Sequence, residues 1–178
     1  MGGTENDGAD VAGVFARLAV ELHEEPGVEE TVEAVLRFAL QAVRCTYAGL
    51  VLSHRGGELE TAAVTDPLVE QCDQLQLECG EGPSLAVVAD QDTVLVPDMT
   101  SEGRWPYWAP KAAAVGLRSV LLHTNGTTLG VLQLFNSEPY AFDTDDDAAA
   151  HILARHASVA VATPGRRHRC GGRSTRAS

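Results

Sequence analysis

The stretch 118-RSVLLHTNGTTLGVLQLF-135 decides the fold of this chain. Two apolar runs flank Asn125-Gly126, a dipeptide that favours the tight type I′ turn of a β-hairpin. The sequence therefore predicts two antiparallel strands, at 118–124 and 127–135. Asn125-Gly126-Thr127 also matches a glycosylation acceptor sequence, but this has no consequence in a chain expected to stay inside the cell.

Further strands are predicted upstream of this hairpin. Residues 46–53 and 58–65 are rich in β-branched and apolar residues, and a short loop containing Gly56-Gly57 joins them. This spacing indicates a second hairpin. A shorter strand is predicted at 93–96, where Pro97 stops it.

Helical patterns surround the strands. The first helix is predicted to begin at Asp10 and to end before Pro26-Gly27, with its apolar side formed by Val11, Phe15, Leu18 and Leu22. The other predicted helices are 28–43, a short helix opened by Asp66-Pro67, one opened by Pro83-Ser84, 112–115 followed by Gly116, and a long helix capped by Asp143. In that last helix the residues predicted to face inward are Ile152, Leu153, His156, Val159 and Ala160.

This order of elements predicts an α+β fold. Two neighbouring strand pairs that both form hairpins indicate a largely antiparallel central sheet with helices packed on its faces, not a doubly wound parallel sheet. At 178 residues the chain is expected to hold one domain. We assign it to residues 10–162, with a disordered lead-in over 1–9 and a basic, disordered tail over 163–178.

The charge distribution argues against nucleic acid as a partner of this chain alone. The formal net charge is −12, and residues 164–178 contain five arginines and no acid. Subtracting those five positive charges leaves −17 on the rest of the chain. Such a body repels nucleic acid, anionic lipid and anionic ligands at long range, so only the tail could attract them.

Composition also indicates where the protein resides. The N-terminus lacks the basic-then-apolar order of a secretory signal, and no apolar run approaches the roughly 18 residues of a membrane-spanning helix. We therefore expect a cytoplasmic protein without membrane contact. Its four cysteines lack zinc-like spacing, and its histidines lack metal-pair spacing, so no metal site is predicted.

The segment 78-ECGEGPSLAVV-88 raises four possibilities for its chemistry. A phosphate-binding loop is disfavoured, because the Walker lysine is missing and Glu78 and Glu81 would oppose a phosphate. A nucleophile elbow is excluded because its GxSxG pattern is absent. A reactive Cys79 and a simple turn into a helix both remain open, and the two glycines favour the turn.

A cluster of aromatic residues follows in 98-DMTSEGRWPYW-108. Trp105 and Trp108 are three residues apart, so they could lie on one side of a turn and wall a cavity, or pack the helix onto the sheet. Arg104 and Arg118 are the nearest basic residues in sequence. An anionic ligand would therefore have to use these arginines or backbone N–H groups.

Taken together, these motifs resemble those of a GAF domain. The resemblance rests on GEGPS (80–84), VPDMTSEGRWPYW (96–108), GLRSVL (116–121), LGVLQLFNSEPYAF (129–142) and the closing AAHILARHASVAVA helix. It covers about residues 10–162 and is most similar to the sensory domains of actinobacterial GAF–ANTAR regulators. Two departures stand out: Ser84 replaces the common cysteine of GEGPC, and the final residues TPGRRHRCGGRSTRAS do not resemble an RNA-binding ANTAR domain.

The resemblance implies a GAF/PAS-like fold and a non-enzymatic function. It implies a cytoplasmic sensory module in signal transduction or transcription regulation, which binds an unidentified small molecule and forms a homodimer through its terminal helices. The implied pocket lies between one sheet face and the 77–115 connection, and its predicted residues are Cys79, Ser84, Asp98, Trp105, Trp108 and Arg118. The cofactor is unknown. The alternatives are a GAF-type free methionine sulfoxide reductase, with Cys79 and Cys72 as its thiols, and a module that only binds other proteins.

Overall fold

The structure, a computed structural model, describes residues 7–23, 27–90, 93–124 and 130–162. These residues form five strands and six α-helices with one turn of 3-10 helix, which confirms the predicted α+β class. In chain order the elements are α1 (Asp7–His23), α2 (Val28–Ala42), β1 (Tyr47–Ser53), β2 (Leu59–Val64), α3 (Pro67–Cys79), α4 (Pro83–Asp90), β3 (Val94–Val96), the 3-10 turn (Met99–Ser101), α5 (Trp108–Ala114), β4 (Ser119–His123), β5 (Gly130–Asn136) and α6 (Thr144–Ala162).

The strands form one antiparallel sheet in the order β2-β1-β5-β4-β3. Both predicted hairpins are present, because β1 pairs with β2 and β4 pairs with β5, where Leu122 lies opposite Gln133. The Asn125-Gly126 turn itself lies outside the described residues. The register of β1 against β2 shifts between Leu50 and Val51, as at a β-bulge.

Helices α1, α2 and α6 cover one face of the sheet. Helix α2 packs between the other two, and its inward side includes Val32, Val35 and Phe38. Helix α1 begins at Asp7, three residues before the predicted start, and it buries Val14 and Leu18. The side chain of Leu22 and residues 1–6, 24–26 and 163–178 lie outside the described part of the chain.

The inward side of α6 differs from the prediction. Leu153 is buried as expected, but Ile152 and Val159 are 41% and 66% exposed, and His156 is only half-buried. Asp146 and Ser158 are buried as well, and the other buried apolar positions of α6 are alanines: Ala149, Ala150, Ala154 and Ala157. Because alanine side chains are small, this side of α6 can lie close to α2 and β5. The side that packs closely therefore faces inward, although Ile152 and Val159 are larger apolar residues. The side chain of Ala160 is not described.

Capping interactions match the sequence signals. The side chain of Asp66 accepts a hydrogen bond from the backbone N–H of Leu68, with Pro67 in the first turn of α3. At the start of α6, Asp143 accepts from the backbone N–H groups of Asp145 and Asp146, while the Asp146 carboxylate accepts from the Asp143 N–H. This reciprocal arrangement is a capping box, and it confirms the predicted cap.

Helices α3, α4 and α5 cover the opposite face. Their core includes Val69, Trp108 and Val120. Helix α5 ends before Gly116, which has φ of 99° as predicted for the residue after a helix. Its first turn lacks a cap from its own sequence, and Glu81 supplies one: Oε1 accepts from the backbone N–H groups of Tyr107 at 2.6 Å and Trp108 at 3.0 Å.

We expect Glu81→Ala to lower the free energy of unfolding by about 1–2 kcal/mol, because two N–H groups at the start of α5 lose their acceptor. Glu78→Ala is the matched control, since Glu78 carries the same charge and is exposed at the end of α3. Its effect should stay within about 0.5 kcal/mol. Urea unfolding of both variants checks the difference, and equal losses would contradict the capping role.

Candidate functional site

A polar cluster is buried between the sheet and helices α3 and α4. It contains five residues, which we call the Asp73 cluster: Thr61, Asp73, Gln76, Ser84 and Gln133. Asp73 is 8% exposed, and Gln76, Ser84 and Gln133 are 2% exposed or less. Polar side chains at this depth are costly unless they are hydrogen-bonded, so their partners decide what the cluster can do.

The Asp73 carboxylate is the centre of the cluster. Its Oδ1 accepts from Gln133 Nε2 at 2.8 Å and from Gln76 Nε2 at 3.4 Å, while Oδ2 accepts from Thr61 Oγ1 at 2.8 Å. All three donors are neutral, and no ion pair joins Asp73 to another described residue. Asp73 is therefore a buried acid without a cationic partner among these residues.

The GEGPS turn brings α4 to this cluster. Gly80 ends α3 in the left-handed conformation with φ of 68°. Gly82 has φ of 151°, and a Cβ built on it would lie 2.3 Å from Gln76 Oε1. Glycine is thus required for the chain to pass over Gln76. That passage lets the Ser84 backbone N–H donate to Gln76 Oε1 at 2.8 Å.

A small cavity of about 20 Å³ lies beside the cluster. This volume suits one water molecule or a group of similar size. Its lining combines four polar members of the Asp73 cluster with three apolar residues: Thr61, Asp73, Gln76 and Ser84, with Val51, Leu59 and Leu77.

Burial raises the pKa of Asp73 to about 6, and the nearby Glu70 carboxylate adds to the shift. The hydrogen bonds from Gln133 and Thr61 act in the opposite direction, because they favour the ionised form. Removal from water is the larger effect. Asp73 therefore changes charge close to neutral pH, which an exposed aspartate does not do.

Ser84 is the only residue of the predicted pocket that lines this cavity. Trp105 and Trp108 pack edge to face, with ring centroids 6.2 Å apart. Trp108 is fully buried, and its Nε1 donates to the backbone carbonyl of Cys72 at 3.1 Å. Arg104 lies over the Trp105 ring at 4.6 Å. The tryptophans thus pack α5 and its preceding loop onto the core.

The remaining predicted residues lie off the cavity lining. Asp98 accepts from the Thr100 N–H to cap the 3-10 turn, and it pairs with Arg118 at 3.4 Å. The hydrogen bonds from the Thr100 hydroxyl and backbone N–H keep the pKa of Asp98 below its usual range, and the Arg118 guanidinium adds a smaller effect in the same direction. Cys79 is half-buried, and its Sγ lies 3.7 Å from Lys111 Nζ.

Three members of the cluster could have been found in the sequence. Gln133 is one polar residue inside the apolar run 129-LGVLQLF-135, which is unusual for a buried strand. Asp73 and Gln76 each follow a buried α3 residue by four positions, Val69 and Cys72 respectively, so they share its side. The sequence-based prediction placed only apolar residues on that side of α3, and it missed Asp73, Gln76 and Gln133.

Metal and thiol chemistry find little support in the described residues. Within them, no group of three or more His, Cys, Asp or Glu side chains could hold a metal ion. Burial raises the pKa of the Cys45 and Cys72 thiols to about 12, which disfavours the reactive thiolate. None of the described cysteines lines the cavity.

Comparison with known families identifies the domain. The sequence profile of the GAF domain family matches residues 25–162, and this chain belongs to that family. GAF domains are sensory and regulatory modules that commonly bind small molecules and dimerise. No curated protein matches the sequence. Among the described residues, none forms a helix long and apolar enough to cross a membrane.

Solved structures share the fold at low sequence identity. The GAF domain of a phosphoenolpyruvate-protein phosphotransferase from Coxiella burnetii is similar with a TM-score of 0.72 and 19% identity, over 89% of this chain and 95% of that chain. Its Acinetobacter counterpart has a TM-score of 0.64 and 15% identity over 89% and 95%. The free methionine-R-sulfoxide reductase from Neisseria meningitidis, in complex with its substrate, has a TM-score of 0.67 and 17% identity, over 90% of this chain and 93% of that chain.

The raised pKa of Asp73 predicts a specific pH dependence of stability. The folded-state pKa of about 6 exceeds the ordinary value of 3.8, so the folded protein binds the proton more tightly than the unfolded chain. This contribution to stability is full below about pH 4 and is lost as pH rises through 6. The neutral variant Asp73→Asn should therefore gain on the wild type by up to about 3 kcal/mol between pH 4 and 7.

Urea unfolding across this pH range measures that gain. Glu33→Gln is the control, because it removes the same charge from an exposed position on α2, on the opposite face of the sheet from Asp73. Its difference from the wild type should change little with pH. A gain of the same size in both variants would contradict an effect of burial at Asp73.

Proposed function

We propose that this chain is a non-enzymatic sensory module that binds a small molecule between its sheet and helices α3 and α4. The observation that carries this proposal is the Asp73 cluster, which places an uncompensated acid and three buried polar residues in an otherwise apolar layer. The cavity beside it provides the point of entry.

The cluster is hard to explain by packing alone. Within the described residues, the buried Gln133 Oε1 has no hydrogen-bond partner. An unpaired buried acceptor costs about 1–3 kcal/mol, and an apolar residue of similar size would avoid that loss. Polar groups that oppose stability are typical of binding sites, where a ligand supplies the missing partner.

The properties of the thiols favour a sensor over a reductase. Free methionine sulfoxide reduction needs a thiolate at the substrate and a second thiol to resolve it. Cys72 is fully buried with a pKa near 12, and neither Cys72 nor Cys79 lines the cavity. The likeness to the Neisseria meningitidis reductase concerns the fold, which sensory domains share.

The output of the module is proposed to be transcription regulation in the cytoplasm. This rests on the motif resemblance to actinobacterial GAF–ANTAR regulators, from GEGPS to the closing helix. The acidic body makes direct nucleic-acid contact by the described domain unfavourable, so we propose a protein as the next partner. Helices α1 and α6 carry the chain into and out of the domain, where a signal can pass.

We further propose that the domain forms a homodimer through α1, α2 and α6. These helices present exposed apolar side chains, with Val20 and Val159 each 66% exposed and Leu40 and Ile152 about 40% exposed. Burial of such side chains against a second copy would remove them from water. A matching surface on both copies is the requirement of a two-fold interface.

Native mass spectrometry of the full chain, purified from its own host, tests the sensory function. We expect a retained small molecule, which is lost in Gln133→Leu because Asp73 loses its 2.8 Å hydrogen bond from Gln133 Nε2. Gln74→Leu is the control, because Gln74 is exposed on the outer side of α3. Wild-type protein with no retained molecule, and no stabilisation by a metabolite library, would contradict the proposal.

Light scattering tests the homodimer. Val20→Glu with Val159→Glu should convert a dimer to monomers, because two charges per copy would be buried at the interface. Gln71→Glu with Gln74→Glu adds the same charge to exposed positions on α3, in the opposite helix layer, and should leave the dimer intact. A wild type that is monomeric at every concentration would show the interface assignment to be wrong.

A further inference from the structure

Most hydrogen-bond donors of the Asp73 cluster already bond to acceptors within the cluster. Both N–H bonds of Gln133 Nε2 are used, one on Asp73 Oδ1 and one on Ser84 Oγ at 3.2 Å. Both N–H bonds of Gln76 Nε2 are used on the same two residues. The Thr61 hydroxyl donates to Asp73 as well. Among the side-chain donors of these five described residues, only the hydroxyl hydrogen of Ser84 has no acceptor.

Acceptors, by contrast, remain available. An ionised carboxylate has about four lone-pair positions, and Asp73 fills three of them. Thr61 Oγ1 can accept while it donates, and Gln76 Oε1 has a second lone pair beside the one used by the Ser84 N–H. These three residues all line the cavity. A group that enters the cavity meets these three acceptors and one free donor, the Ser84 hydroxyl, so a group that brings several donors fits best.

The charge at the cavity leads to the same requirement. Asp73 has no cationic partner among the described residues, and a buried carboxylate is stabilised strongly by an ammonium or guanidinium group within contact distance. The charge of −17 outside the tail attracts cations and repels anions. Both short-range and long-range electrostatics select a positive ligand.

The size and the lining of the cavity limit which cationic groups fit it. About 20 Å³ holds a head the size of one water molecule, which suits an ammonium group better than the larger planar guanidinium. The other lining residues are Val51, Leu59 and Leu77, and Leu77 is 49% exposed. An aliphatic chain attached to the ammonium head would lie against these three side chains.

We propose that the cavity binds the ammonium head of a small primary alkylamine, held by Asp73, Thr61 and Gln76, with its carbon chain against Leu59 and Leu77. This inference rests on the proposed sensory function and specifies the class of its ligand. It also gives a reason for the buried position of Asp73, where an ionised carboxylate lowers the stability of the fold. The ligand supplies the cation that the buried carboxylate lacks.

Calorimetric titration of the full chain at pH 7.5 with n-butylammonium chloride tests the inference. We expect saturable binding, weaker binding of ammonium chloride because it lacks the chain, and none of tetramethylammonium, n-butanol or butyrate. Asp73→Asn should weaken n-butylammonium binding by about tenfold or more. Glu33→Gln, the charge-matched control on the opposite face of the sheet, should change it by no more than about twofold.

A pH series on the wild type provides a test that needs no variant. Affinity for n-butylammonium should fall as pH decreases from 7.5 to 5, because Asp73 becomes protonated near its pKa of about 6 while the amine stays charged. The inference would be overturned by equal losses in Asp73→Asn and Glu33→Gln, by preference for n-butanol or butyrate, by an affinity independent of pH, or by no binding.

The host-purified protein separates this inference from the proposed function. A retained molecule without an amino group would overturn the amine class and leave the sensory function standing. A retained primary amine would support both. If no molecule is retained and no probe binds, both fail.

Discussion

Strand β5 is buried on both faces, and the rest of the architecture follows from that constraint. It lies at the centre of the five strands, and residues 130–135 are buried without interruption. A strand of this kind needs an apolar layer on each side, because backbone pairing alone does not keep its side chains from water. Helices α1, α2 and α6 form one layer, and α3, α4 and α5 form the other.

The two helical layers differ in the polar side chains that they bury. The layer of α1, α2 and α6 packs mainly through hydrocarbon, down to the alanines of α6, and its buried Asp146 and His123 contact Arg44 and Asp147. The other layer admits Gln133 in the middle of β5, and the Asp73 cluster gathers around it. Uncompensated polarity in one layer is tolerable because the second layer and the sheet hold the fold.

The motifs that identify the family are structural devices in this chain. Gly80 and Gly82 turn the backbone over Gln76, and Glu81 caps α5 across the layer. Trp105 and Trp108 pack the loop and helix that follow. These motif residues therefore shape and pack the fold, while Asp73 and Gln76, which belong to no such motif, line the cavity.

The sequence by itself determined what depends on near neighbours: the two hairpins, the Asp66 and Asp143 caps and the α+β class. Local hydrogen bonds and side-chain alternation are enough for these. The joint order of five motifs, from GEGPS to the closing helix, also indicated the family. The sequence did not determine which side of α6 faces inward, or that Asp73 is a buried acid. Those properties arise only when distant elements dock, since burial and an altered pKa belong to the packed surroundings of a side chain and not to its neighbours in the chain.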